Sequence, residues 1–244
     1  MVLMSRFLKS LPNPAAAAIA LALVCAPAVA MAASKPVTQN GITTQTAAAS
    51  EAFPGYQKFL SLPAADRSQV NVYYVLRIKH CDASKVSATL TTGGRQIPLS
   101  IARDGRITPL PTLAQMNDGA QVTTRKPAEC TVGMKIRVFS TQPNGNTYDA
   151  AALASGIRQG NAAMGRIAGP LALMLPKLDR VYFTGGGNGE AEFAGGQKKP
   201  LPRTTSAGEY PAGTPYFVPS QMNGATRLHF SHAVSVANYD TPPK

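Results

Sequence analysis

Two clusters carry the residue types of catalysis. His229-Phe230-Ser231-His232 places two imidazoles and a hydroxyl within four residues, a set that could hold a metal or activate a serine. On a β-strand, an offset of three sends the two rings to opposite faces, so neither use follows from the spacing. A lone buried imidazole is more often a hydrogen-bonded core residue. Glu190 and Glu192 are two apart and share a strand face, as paired carboxylates for glycoside hydrolysis do. In a glycine-rich stretch, two acids equally make a solvated face. Gly185-Gly186-Gly187-Asn188-Gly189 lacks the Lys-Ser/Thr and the following helix that phosphate loops use. No G-x-S-x-G elbow occurs. No catalytic residue, metal ligand or cofactor is assigned from these patterns, and the reading leans away from an enzyme.

Charge and aromatic rings form the stronger signal. The chain has 24 Lys and Arg against 12 Asp and Glu, a formal net charge of +12. Tyr73, Arg77 and Lys79 alternate along one strand face, and Lys135 and Arg137 do so along another. A sheet face of Tyr and Arg/Lys suits an anionic polymer, through charge and ring contact. A solvated sheet face has the same look. Lys198, Lys199 and Arg203 form a second basic cluster in a loop-like stretch.

The address narrows the partner. Arg6 and Lys9 precede an apolar run from Ala15 to Val24, and small residues follow in an A-x-A pattern. That is a Sec-type signal peptide, with cleavage after Ala30 or Ala32. Val24 stands before Cys25 where a lipoprotein would carry a small residue. The expected location is periplasmic or secreted, which favours an anionic envelope polymer or another envelope protein over nucleic acid. Cys81 and Cys130 then remain as a pair and are expected to form a disulfide. A thiol metal site would need more ligands nearby; His80 points away from Cys81 on a strand.

The elements that must position these residues repeat. Thr108-Pro109 to Gln115-Met116-Asn117 returns as Thr214-Pro215 to Gln221-Met222-Asn223, and each copy leads into Gly-Ala. Upstream, Gly93-Gly94 with Pro98-Leu99 returns as Gly195-Gly196 with Pro200-Leu201, and Val72-Tyr73-Tyr74 as Val181-Tyr182-Phe183. Short alternating strands between Gly/Pro turns predict a mainly β chain of two related β-sandwich-like halves, an internal duplication. The expected map is signal peptide 1–32, flexible lead-in 33–52, first β domain with the disulfide 53–146, helical connector 147–179 and second β domain 180–240. Phe53 to Leu62 reads as a short helix, Asp104-Gly105 as a type-I′ hairpin, and Arg227 to Val236 as one strand. Met134, Ile136 and Val138 read as an inward row. Asp149 is placed to cap the connector helix. Its Gly156/Gly160 spacing permits close packing, and Pro170 with two arginines argues against a membrane span. The connector packs on a sheet, or makes peripheral membrane contact through 150–178. The doubled Gln-Met-Asn motif reads as a structural corner, with Pro and Gly setting the turn and Met filling a gap.

Tyr56-x-x-Phe59, the Val72–Ile78 strand, Cys81, Ile97-Pro98-Leu99, Asp104-Gly105 and Leu110-Pro111 occur in this order. In this, the stretch Tyr56–Val122 resembles a family of small exported proteobacterial proteins carrying a domain of unknown function. The resemblance implies an exported β-rich domain and no activity, so no functional residue carries over. The expected function is non-enzymatic binding of an anionic surface component or a protein partner through Tyr73, Arg77, Lys79, Lys135 and Arg137. A hydrolase with a site between the halves, or a structural subunit docked through 150–178, are the other readings.

Overall fold

Local turn chemistry sets most of the strand pairing. The computed structural model describes residues 34–242, so the signal peptide with Ala30 and Ala32 lies outside the described residues. Asn40 (φ 49°) and Gly41 (φ 72°) join β1 (Val37–Gln39) to β2 (Ile42–Ala48). Two left-handed residues in a two-residue loop are what a I′ hairpin demands. This hairpin occupies the segment expected as a flexible lead-in. The Asn-Gly pair is its sequence signal, hidden by the surrounding Ala, Ser, Thr and Gln. Two short helices follow: α1 (Ala49–Ala52), within the expected lead-in, and α2 (Tyr56–Leu60), inside the helix expected over Phe53 to Leu62.

Then come β3 (Val70–Lys79), β4 (Ser87–Thr92) and β5 (Arg95–Ile101). Gly93-Gly94 joins the last two as predicted. The Asp104-Gly105 turn leads to β6 (Ile107–Thr108), but only Gly105 has positive φ. Asp104 instead accepts the Arg106 backbone N–H at 3.0 Å, so the turn is not type I′. The first Gln-Met-Asn copy is the helix α3 (Leu113–Asn117), closed by a Thr112–Gln115 capping box. β7 (Gln121–Pro127) and β8 (Thr131–Ser140) follow. Cys81 and Cys130, just outside β3 and β8, lie at disulfide distance, with Cα atoms 5.3 Å apart.

β9 (Thr147–Asp149) feeds the helix α4 (Ala150–Ala168), and the Asp149 carboxylate accepts the Ala152 N–H at 2.7 Å as expected. A 3₁₀ turn covers Gly169–Met174. The remaining strands are β10 (Arg180–Thr184), β11 (Gly189–Phe193), β12 (Lys198–Pro200), β13 (Tyr216–Phe217), β14 (Ala225–Phe230) and β15 (Val236–Asp240). The single strand expected over Arg227–Val236 is therefore two. After Phe230 the backbone bonds to Asn188, Gly186 and Gly145, which turns the chain from one sheet into the next.

The strands form three antiparallel sheets, ordered β1-β2-β7-β4-β5-β6, β13-β10-β15-β8-β3 and β12-β11-β14-β9. The middle sheet takes β3 and β8 from one side of the expected domain boundary and β10, β13 and β15 from the other. Its joint is the β15–β8 pair, Asn238 opposite Phe139 and Tyr239 opposite Val138. The expected borders at 146/147 and 179/180 therefore do not coincide with a sheet boundary. One core packs Tyr74, Leu90 and Leu99 between the first two sheets; the other packs Val70, Leu153, Val181 and Leu228 around α4. α4 lies close to the middle sheet because position 156 carries no side chain. A Cβ there would sit 2.0 Å from the Tyr239 hydroxyl oxygen.

Candidate functional site

β3 and β8 pair over ten residues, with Tyr73 opposite Arg137 and Val75 opposite Lys135. Alternation then puts Tyr73, Arg77, Lys135 and Arg137 on one face of the middle sheet, as predicted. Their surroundings differ from an open basic surface. The loop between β12 and β13 crosses this face and brings Glu209 onto it. The Glu209 carboxylate accepts from Arg77 at 2.8 Å and also from Lys135 and Arg137. Arg137 further donates to Asp240 at 2.8 Å and to the Tyr210 hydroxyl at 3.1 Å. That hydroxyl donates to Asp240 at 2.6 Å. Tyr73 packs edge-on against Phe139, and Arg106 lies over both rings. Lys79 is exposed at the end of β3 and is not among the partners of Glu209.

The loop is held at both ends. Arg203 donates to the Gly213 carbonyl and to the Asn188 side chain, each at 2.7 Å. The Tyr210 ring stacks on Tyr182 at 4.0 Å. Burial, followed by the hydrogen bond to Asp240, pushes the Tyr210 hydroxyl well above the ordinary tyrosine range. Desolvation and then the Arg137 charge hold the Lys135 ammonium below its ordinary value. Under the loop lies a cavity of 510 Å³, lined in part by Lys135, Tyr182, Arg203, Glu209 and Asp240. Chemically this is a set of three cations gathered around one carboxylate.

Sequence reasoning missed Glu209, Tyr210 and Asp240. One signal was available: Glu209 is the single acidic residue between Glu192 and Asp240 in an otherwise basic stretch.

The other face of the same strands carries a different surface. Met134 and Ile136, expected inside, are 42% and 45% exposed. They share a row with buried Leu76 and Tyr74, directly opposite on β3, but β15 pairs with β8 only at Val138 and Phe139 and does not run beside them. Beside them opens an apolar groove of 430 Å³ between the middle sheet, α2 and α4.

The catalytic candidates lie elsewhere. Glu190 and Glu192 share one face of β11, and His229 Nε2 is 2.5 Å from Glu192 Oε2. That hydrogen bond, more than the charges around it, holds the Glu192 carboxyl below its ordinary value. His232 is exposed in the bend after β14, with Nδ1 3.2 Å from the Ser231 hydroxyl. Neither histidine lines the two cavities above. Among the described residues, no group of three His, Cys, Asp or Glu is placed to hold a metal, and no helix is long and apolar enough to cross a membrane. Comparison with protein-family models, curated proteins and solved structures finds no match to this chain.

Proposed function

We propose that the protein is an exported envelope protein that binds an anionic surface component, without catalysis, at the β3/β8 face. The observation behind this reading is the convergence of Arg77, Lys135 and Arg137 on one carboxylate. A carboxylate on a loop is an internal substitute for an acidic group of a ligand, and cations gathered from two strands are a ready acceptor for it. Glu209 therefore competes with the ligand. The test is salt-sensitive retention on acidic glycans, lipopolysaccharide and peptidoglycan. Wild-type protein should be retained on one of them, Arg77→Glu should lose retention, and Glu209→Gln should gain it. Absence of salt-sensitive retention from all three surfaces sinks the proposal.

The hydrolase reading has one specific observation, the Glu192–His229 pair. A general acid needs a carboxyl with a raised pKa, whereas this one is lowered. The pair is better suited to pinning β11 to β14 than to proton donation.

The duplication is inferred from pairing order. β4 turns through Gly93-Gly94 into β5, and β7 returns beside β4. β11 turns through Gly195-Gly196 into β12, and β14 returns beside β11. β2 then flanks β7 as β9 flanks β14. On this reading β8 and β15 are counterparts, and the units meet through them. The two copies differ most in the link before the Thr-Pro motif. The link is short in the first and is the Glu209 loop in the second.

A further inference from the structure

We propose that the apolar groove between the middle sheet and α4 binds the acyl chain of an anionic lipid. Its apolar walls come from the opposite side-chain row of the same strands, and Lys135, Arg137 and Asp240 of the basic cluster reach its edge. Val72 and Tyr74 of β3, Ile136 and Val138 of β8, and Met164 and Ile167 of α4 line it. Its 430 Å³ falls within the range of small-molecule sites, about 300–1,000 Å³.

These six side chains are mostly hydrocarbon. The Tyr74 hydroxyl, the obvious polar group among these six, is spent on the Pro54 carbonyl at 2.6 Å. A peptide backbone entering such walls would leave its N–H and C=O groups without side-chain partners, whereas a hydrocarbon chain has none to satisfy. The mouth is apolar as well. Leu175 lines the groove, and the neighbouring Leu173 and Met174 are 93% and 83% exposed. Large side chains this exposed mark a surface for an apolar partner.

Charge selects the headgroup. Lys177 is exposed beside this lip. Lys58 reaches the Ile167 carbonyl at 3.2 Å, at the α4 end of the groove. Lys135 also reaches its edge, but its ammonium is held by Glu209 on the basic face. The one acid that borders it, Asp240, is engaged by Arg137 and Tyr210. A chain seated here would leave its acidic head among lysines, as lipid-surface segments rich in Lys and Leu arrange it.

The test uses the fluorescent fatty acid cis-parinaric acid and vesicles of phosphatidylglycerol or phosphatidylcholine. The exported protein should bind the probe saturably, release it to palmitate, and pellet with phosphatidylglycerol vesicles only. Ile136→Glu puts a charge at an exposed mouth position and should weaken probe binding about tenfold or more. Leu173→Ser with Met174→Ser, both on the surface, should reduce vesicle binding while probe binding persists. Arg77→Glu should leave probe binding unchanged, which separates this site from the basic face. No saturable probe binding by wild-type protein overturns the proposal. So does a folded Ile136→Glu variant, judged by circular dichroism, with unchanged affinity. Sedimentation showing a dimer that dissociates in Ile136→Glu would instead assign the groove to a second copy and overturn it as well.

Discussion

Arg137 is the residue on which the basic face turns. Its side chain is 15% exposed and bonds Glu209, Asp240 and Tyr210 together. Removing it leaves two carboxylates sharing fewer donors in a partly dry site. Arg137→Ala should therefore lower stability by about 1–3 kcal/mol, read as a shift in the urea midpoint. Glu209→Gln removes a carboxylate but keeps the loop. Partly exposed ion pairs contribute little, about 0.2–1 kcal/mol each, so its stability should barely change. Its retention on the anionic ligand should rise roughly two- to fivefold, the same energy read as affinity. Tyr239 sets a pH limit. Burial raises its hydroxyl from 10.0 to about 12, and that hydroxyl donates to the Gln69 carbonyl. A raised acid favours the neutral form in the fold. Its contribution is complete below pH 10 and is lost as pH climbs towards 12. Urea midpoints measured from pH 9 to 12 should fall, and Tyr239→Phe should flatten part of that fall. Tyr56, Tyr74, Tyr148, Tyr182 and Tyr210 are raised too and share the remaining slope.

At the scale of elements, the closest fit is α4 on the middle sheet. Gly156→Ala drives a methyl group towards the Tyr239 hydroxyl, so helix and sheet must separate. The substitution improves helix propensity by about 1 kcal/mol and overpacks by about 1–3 kcal/mol. The net effect should be a lower melting temperature. Gly165→Ala, at a position where a Cβ would meet nothing within 4 Å, should raise it, and the pair of variants separates packing from propensity. Which elements were legible follows the same division. The β3 alternation, the Gly93-Gly94 hairpin and the Asp149 cap were readable, because each depends on neighbours in sequence. β7 was not. It has one buried aliphatic, Val122, among Thr, Arg and Lys, although Thr123 and Thr124 carry β propensity. It is a central strand because β2 and β4 bond to it on both edges. Backbone pairing overrides a weak pattern.

At the scale of the molecule, the middle sheet makes one folding unit of what reads as two. Phe59 and Val70 share a core cluster with Leu153, Val181 and Leu228. A chain cut at Asn144 should accordingly behave as two fragments that co-purify, while either fragment alone should be poorly protected from protease. Cys81 and Cys130 enclose a separation of 49 residues, for which loop closure gives about 4 kcal/mol. Reduction should lower the melting temperature and leave the β7–β4 and β10–β15 amides the last to exchange with solvent, as interior strands do.

By itself the sequence determined the β class, the cysteine pair, the two motif copies and the separate strand rows of Tyr73, Arg77 and Lys79 and of Lys135 and Arg137. Each follows from spacing along a strand or from residue type, which are local properties. The tertiary structure decided what those rows meet. Glu209 lies 72 residues beyond Arg137 and Asp240 lies 103 residues beyond it, and only the course of the β12–β13 loop and the β15–β8 joint bring them together. It also decided that Met134 and Ile136 stay partly exposed although they share a row with buried Leu76 and Tyr74. Alternation assigns a residue to a row, but which part of that row is buried depends on what packs over it, and that is set by elements distant in sequence.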